Sequence, residues 1–169
     1  MKKITLVALA VCCSYQYALA QPDMSIGQKA PGFSGISVNG EEINLKKLRG
    51  NIVVLDFWFV GCGGCRAEMP FLNQMVKELG QDRIAYIGIA LDKPDKIRLF
   101  LKDIPFDFTH IPEAEKIFNS YGVTICPSRF VIDPKGRISY ISRGKKMEKP
   151  ETMKEHIQIL HNELTNKTQ

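Results

Sequence analysis

Histidine and tryptophan are scarce in this 169-residue chain, with three of the first and one of the second. None of His110, His156 and His161 stands at ligand spacing to the chain's one Cys-x-x-Cys pair, and no second such pair exists. The four ligands of a structural zinc site therefore cannot be drawn from the sequence. No apolar run reaches the ~20 residues of a membrane-spanning helix. Internal repeats and low-complexity tracts are absent, so solenoid and fibrous architectures are excluded. Charge of one sign is not concentrated anywhere. Lysine and arginine are scattered rather than striped, which implies no nucleic-acid partner. The cluster Lys145, Lys146 and Lys149 reads as a solvated turn.

The first twenty residues have the form of a secretory signal. Lys2 and Lys3 make a positive start, Ile4 to Cys13 an apolar stretch, and Ala18-Leu19-Ala20 a small-x-small cleavage site before Gln21. Residues 1–20 are thus expected to be a signal peptide and residues 21–169 the domain. Val11 and Cys12 suit the approach to a lipidated cysteine poorly, so ordinary cleavage is the reading taken. A lipid anchor at Cys12 or Cys13 is the alternative. Cleavage removes two lysines and no acids, leaving 21 basic and 18 acidic residues, a net charge near +3. It leaves three of the five cysteines: Cys62, Cys65 and Cys126. An odd number in an exported chain argues against a disulfide framework and for reactive thiols.

What is present centres on Cys62-Gly63-Gly64-Cys65. The run before it, from Asn51 to Val60, is β-branched and aromatic, as in a buried strand. The run after it carries Phe71, Leu72, Met75, Val76 and Leu79 on one helical face. The dithiol therefore opens a helix, where unpaired N–H groups and a partial positive charge favour thiolate over thiol at Cys62. The spacing lets Cys65 close a disulfide with it. A purely structural bridge is the lesser alternative, because so short a loop constrains the unfolded chain little.

The rest alternates between strand and helix. Residues 21–33 are rich in glycine and proline and are expected to be extended. Phe33–Val38 and Glu41–Leu45 read as a hairpin about Asn39-Gly40, which suits a type I′ turn. A helical turn, Leu45 to Leu48, ends at Gly50. Gly80 stops the helix over 63–79. A strand over 84–91, a helix over 92–102, a short strand over 104–111 and a short helix over 113–120 follow. Strands over 128–133 and 137–142 flank Asp133-Pro134-Lys135-Gly136, a strong turn signal. A last helix carries Met153, Ile157, Leu160 and Leu164 on one face. This is an α/β pattern, with parallel crossovers first and an antiparallel pair last.

Five segments, in order, resemble the thioredoxin superfamily, and within it the exported TlpA/ResA-like thiol–disulfide oxidoreductases. They are Ala30-Pro31-Gly32-Phe33; Leu48-Arg49-Gly50 with the following Asn51–Leu55; Phe57-Trp58 and Cys62 through Pro70; Tyr121 through Ser128; and Phe130 through Ile138. The resemblance covers about residues 26 to 164. It implies a thioredoxin-like α/β fold, a central mixed sheet flanked by helices, with an added N-terminal β-hairpin. It implies catalytic roles for Cys62, Cys65, Asp56 and Pro127. Asp56 would be a buried acid of raised pKa that accepts or delivers the Cys65 proton through water. Pro127 would be a cis-proline packed on the dithiol, exposing the backbone of Cys126 to a substrate strand. Trp58, Gly61, Gly63, Gly64 and Cys126 would form the substrate-binding surroundings. Pro70, inside the helix, is expected to kink it.

The chain departs from the family pattern in three places. Gly61 stands where the family has tryptophan, which should remove an aromatic lid. Gly63-Gly64 stands where strong reductants have Gly-Pro, which adds freedom to the reduced loop. Cys126 stands immediately before the cis-proline. It is read first as a small packing residue, with exchange chemistry or a third soft-metal thiolate as alternatives.

The expected function is that of an exported, periplasmic or cell-envelope enzyme exchanging its dithiol with protein disulfides. It would run in the reductive direction, with apocytochrome c thiols as one candidate substrate class. A membrane electron donor would regenerate it, and it would act as a monomer without cofactor or metal. A thiol peroxidase of the same fold is one alternative, although residues 56–61 contain neither the proline nor the threonine such a site needs. A Cu(I) carrier is the other, with only His110 available as a further ligand.

Overall fold

The computed structural model describes residues 22–144 and 150–166. The expected signal peptide, Cys12, Cys13 and the Lys145–Lys149 turn lie outside the described residues. Five strands form the central sheet: β3 (Ile52–Trp58), β4 (Ile84–Ala90), β5 (Thr109–Ile111), β6 (Ser128–Ile132) and β7 (Ile138–Arg143). A separate antiparallel pair, β1 (Ser34–Ile36) and β2 (Glu42–Asn44), precedes them. The order is β5-β4-β3-β6-β7, parallel from β3 to β5 and antiparallel from β3 through β6 to β7. The mixed sheet and the added hairpin are those expected.

Strand β3 is buried along its whole length, as its apolar run requires. Its residues alternate between two cores. Ile52, Val54 and Trp58 face helix α1 (Gly63–Leu79) and helix α4 (Pro150–Asn166), whose Leu72, Met75, Met153 and Ile157 close that layer. Val53, Leu55 and Phe57 face helix α3 (Glu115–Ser120) and the N-terminal segment. Helix α2 (Pro94–Asp103) lies on the α1 side through Ile97. Both parallel crossovers run in one direction along the sheet, so right-handedness puts α1 and α2 on one face. The connection to β6 returns past β3 and carries α3 on the other. The carboxyl end of β3 is thus the switch point, where sites form in such sheets.

Two local readings are corrected. Asn39-Gly40 does not form a type I′ turn, since Gly40 has φ +86° but Asn39 is not among the residues of positive φ. The loop is wider: Gly40 N donates to Ser37 O at 2.9 Å, and the Ser37 hydroxyl accepts from Asn39 N and Glu41 N. That serine makes the bend a turn-plus-bulge hairpin. The strand expected over 104–111 is confined to Thr109–Ile111. Asn73 of α1 holds the preceding loop, donating to Pro105 O and accepting from Asp107 N, while Phe106 and Phe108 turn into the core. Helix α1 runs as one element through Pro70.

The N-terminal segment covers both sheet edges, which would otherwise offer unpaired backbone groups. Gly27 N and Gln28 O bond to Ile138 on β7. Val38 N bonds to His110 O on β5. At the β6–β7 turn, the Arg49 guanidinium donates to Lys135 O and fills the space a side chain at Gly136 would need.

Candidate functional site

Cys62 and Cys65 are joined as a disulfide with Cα atoms 5.3 Å apart. Cys62 is the N-cap of α1, and its sulfur accepts from Cys65 N at 3.1 Å. One of the helix's unpaired donors is therefore spent on that sulfur, which favours a thiolate there on reduction. The loop leading in is fixed by Cys62 N to Phe59 O at 2.9 Å and by Val60 N to Asp92 Oδ2 at 2.6 Å.

The sequence places Cys62 at an open helix start. In the oxidised protein it is only 5 % exposed, against 1 % for Cys65. The Phe59 ring comes within 3.4 Å of where a Gly61 Cβ would stand, so an aromatic side chain does lie beside residue 61. Gly61, Gly63 and Gly64 are exposed, as a docking surface requires. Phe59, Leu91 and Ile125 are exposed apolar residues at the same end of the sheet.

The Cys126–Pro127 peptide bond is cis. Pro127 Cδ lies 3.3 Å from the position a Gly64 Cβ would take, so the proline rests against the first turn of α1. Pro127 O accepts from Gly144 N, and Ile125 O from the Ser128 hydroxyl. Cys126, between them, makes no backbone hydrogen bond among the described residues. Its thiol is half-buried and free. Burial, with the nearby Asp56 charge second, pushes it up to about 12. It is a neutral thiol at physiological pH.

Trp58 is placed beneath the site rather than on its surface. It is fully buried, because strand alternation turns it into the α1 layer against Phe100, Phe106 and His110. His110 Nε2 meets Phe106 O at 3.1 Å, and burial lowers the ring to about 4. His110 is thus a neutral core histidine in an aromatic cage. Among the described residues no three His, Cys, Asp or Glu side chains converge as a metal site.

Asp56 is buried on the α1 face of β3 with 1 % of its side chain exposed. Directly opposite in the β3–β6 register stands Arg129, also 1 % exposed. Arg129 Nε donates to Asp56 Oδ1 at 2.6 Å, and its Nη2 donates to Glu68 Oε2 on α1. Glu68 lies one helical turn after Cys65 and keeps about a quarter of its side chain in solvent. Burial pushes Asp56 up to about 6, against the charge and hydrogen bond of Arg129, and the Glu68 charge adds to the rise. Arg129 is raised above its ordinary value as well. Desolvation is the largest single influence on it, but the two carboxylates together outweigh it and hold the guanidinium charged. The sequence points to a buried acid of raised pKa; it does not point to Arg129, nor to Glu68 as the second partner of that arginine. The signal available was an arginine inside an otherwise apolar strand sequence.

The chain is similar to known proteins in sequence and in fold. The AhpC/TSA family matches residues 26–141. Thiol-disulfide oxidoreductase ResA of Bacillus thuringiensis (strain Al Hakam) is 32% identical over 117 residues, 68% of each chain. Thioredoxin-like protein YneN of Bacillus subtilis (strain 168) is 29% identical over 137 residues, 79% of this chain and 80% of that one. A crystal structure of a thiol:disulfide interchange protein assigned as DsbE, from Chlorobium tepidum, has a TM-score of 0.73 at 28% identity, over 82% of this chain and 99% of that one. The enzyme class expected from the sequence is the one that ResA carries in its name. With a matched segment spanning most of its length, and the fold and dithiol to go with it, this chain belongs to the AhpC/TSA family.

Proposed function

We propose that the chain is an exported dithiol oxidoreductase that reduces disulfides of other exported proteins. The observation that carries this reading is a Cys62–Cys65 disulfide capping α1 against a cis-proline, rimmed by exposed apolar residues. Reduced Cys62 attacks a substrate disulfide and forms a mixed disulfide, releasing one substrate thiolate. Cys65 then attacks the Cys62 sulfur. The intramolecular disulfide forms and the second substrate sulfur leaves. The substrate gains two electrons and the dithiol loses them. A membrane electron donor restores the dithiol.

Protein substrates suit the surface formed by Phe59, Leu91 and Ile125 beside the unpaired backbone of Cys126. Apocytochrome c thiols are one candidate class. Export is supported by the form of residues 1–20, with release expected before Gln21. Among the described residues no helix is long and apolar enough to cross a membrane. Residues 56–61 contain neither the proline nor the threonine that a peroxidase site needs.

Two measurements test the reading. Cys65→Ser should accumulate mixed disulfides with exported proteins, while Cys62→Ser should not; equal trapping by both would refute the assigned polarity. The reduction potential of the pair should lie toward the thioredoxin end of the range, near about −270 mV. A value near the roughly −120 mV of strong oxidants would overturn the reductive direction.

A further inference from the structure

The dithiol, the cis-proline and the apolar rim account for disulfide exchange, but not for a cation buried beneath them. A guanidinium with 1 % exposure is costly to desolvate and persists only when its partners are fixed. Arg129 has two, and they come from different elements. Asp56 belongs to the central strand, and Glu68 to the helix that carries the dithiol. The register that sets Arg129 against Asp56 also places it two residues after Pro127. One side chain therefore ties the central strand, the cis-proline loop and the first turns of α1 together.

We propose that Arg129 is a positioning residue of the dithiol site: it clamps Asp56 to Glu68 and keeps the interior carboxylate ionised below the dithiol, able to take and return the Cys65 proton. The inference rests on the oxidoreductase reading above. In the mixed disulfide Cys65 is a thiol. Its proton passes through water to the Asp56 carboxylate, and the resulting thiolate attacks the Cys62 sulfur. The Cys62–Cys65 bond forms and the Cys62–substrate bond breaks. The departing substrate sulfur takes the electron pair, and the proton returns to it from Asp56. Nothing beyond substrate and dithiol is consumed.

Arg129 is needed because a carboxyl in this position, without a cation, would stay protonated at neutral pH and could accept nothing. Glu68 acts in the other direction. Its charge opposes ionisation of Asp56, while its quarter-exposed side chain links the network to solvent. The groups bearing on Asp56 are Arg129 on β6 and Glu68 on α1, and its charge in turn reaches the Cys126 thiol before Pro127. Helix α4 presents Met153 and Ile157 to this layer, and its His156 is turned to Ser139 on β7.

The two sides of the clamp predict opposite displacements. The carboxyl carbon of Asp56 is followed by NMR through a pH titration of the full chain, and single-turnover resolution of a mixed disulfide is followed over the same range. Arg129→Met should move the Asp56 midpoint up by at least one pH unit from about 6 and slow resolution at pH 7 about twofold or more, as the ionised fraction falls from about nine-tenths to about a half or less. Glu68→Gln should move the midpoint down. Arg129→Lys should recover part of the loss. The first attack by Cys62, measured in the Cys65→Ser background, should change less than resolution does. Should Arg129→Met not fold, Glu68→Gln alone decides, because a downward midpoint supports the clamp and an unmoved one overturns it. Midpoints that coincide in all folded variants would overturn the inference, as would slowing of both steps by the same factor at every pH. Lack of exchange activity in the wild-type protein would instead refute the oxidoreductase reading, and leave the NMR result to stand alone.

Discussion

Replacing Asp56 by asparagine should change how stability depends on pH, in a direction that identifies the force acting on the carboxyl. In the folded protein Asp56 holds its proton up to about 6, against an ordinary value of 3.8. Between those values the folded state binds more protons than the unfolded one. Stability therefore falls as pH rises through the window and levels off above it. At about 1.4 kcal/mol for each pH unit, the displacement corresponds to about 3 kcal/mol in total, of which about 2 kcal/mol falls between pH 4 and pH 7. The assay is urea unfolding of the oxidised protein and of Asp56→Asn at intervals from pH 4 to pH 8. The signature is the difference between the two proteins, not either value alone, because the substitution also leaves Arg129 with one carboxylate in place of two. Relative to the variant, the wild type should lose about 2 kcal/mol on going from pH 4 to pH 7. Parallel curves would refute the raised carboxyl. A wild type that gained on the variant with rising pH would mean that attraction to Arg129 outweighs burial, the reverse of the balance that raises the carboxyl.

Gly88→Ala should destabilise by about 1–3 kcal/mol by chemical denaturation, because its Cβ would lie 2.2 Å from His110 Nδ1 and 3.0 Å from Trp58 Nε1. Gly63→Ala meets nothing within 4 Å and should stabilise by about 0.4–1 kcal/mol through the unfolded chain. Gly64→Ala presses on Pro127 at 3.3 Å and should give less or none of that gain; equal rises in Tm would refute the contact. Cys126, a neutral thiol pushed up to about 12, should resist iodoacetamide in the native reduced protein while Cys62 reacts, and Cys126→Val should keep turnover. A dominant Cys62–Cys126 bridge on peptide mapping would make it part of the mechanism.

Much of this site is local in the chain and is therefore legible in the amino-acid sequence. The dithiol, the strand that leads to it and the helix that follows it are contiguous, and each element declares itself by its own periodicity. The Asp133–Gly136 turn and the apolar stripe of α4 are readable for the same reason. The boundaries that fail do so where side chains from elsewhere intervene. Ser37 widens the Asn39-Gly40 bend through its hydroxyl, and Asn73 of α1 holds residues 105–107 out of the strand.

Element order, the position of Cys62 at a helix start and the presence of an acid inside an apolar strand all follow from the order of residues along the chain. Which way that strand's residues face, and what they meet, depends on packing between distant segments. Alternation tells that Asp56 and Trp58 share a face, but not that the right-handed crossover puts α1 over it. That choice buries Trp58 under Phe100 and Phe106 and keeps it from a substrate. Arg129 is 73 residues from Asp56 along the chain. Their meeting depends on the antiparallel register of β3 and β6, a property of the assembled sheet that no window of local sequence contains.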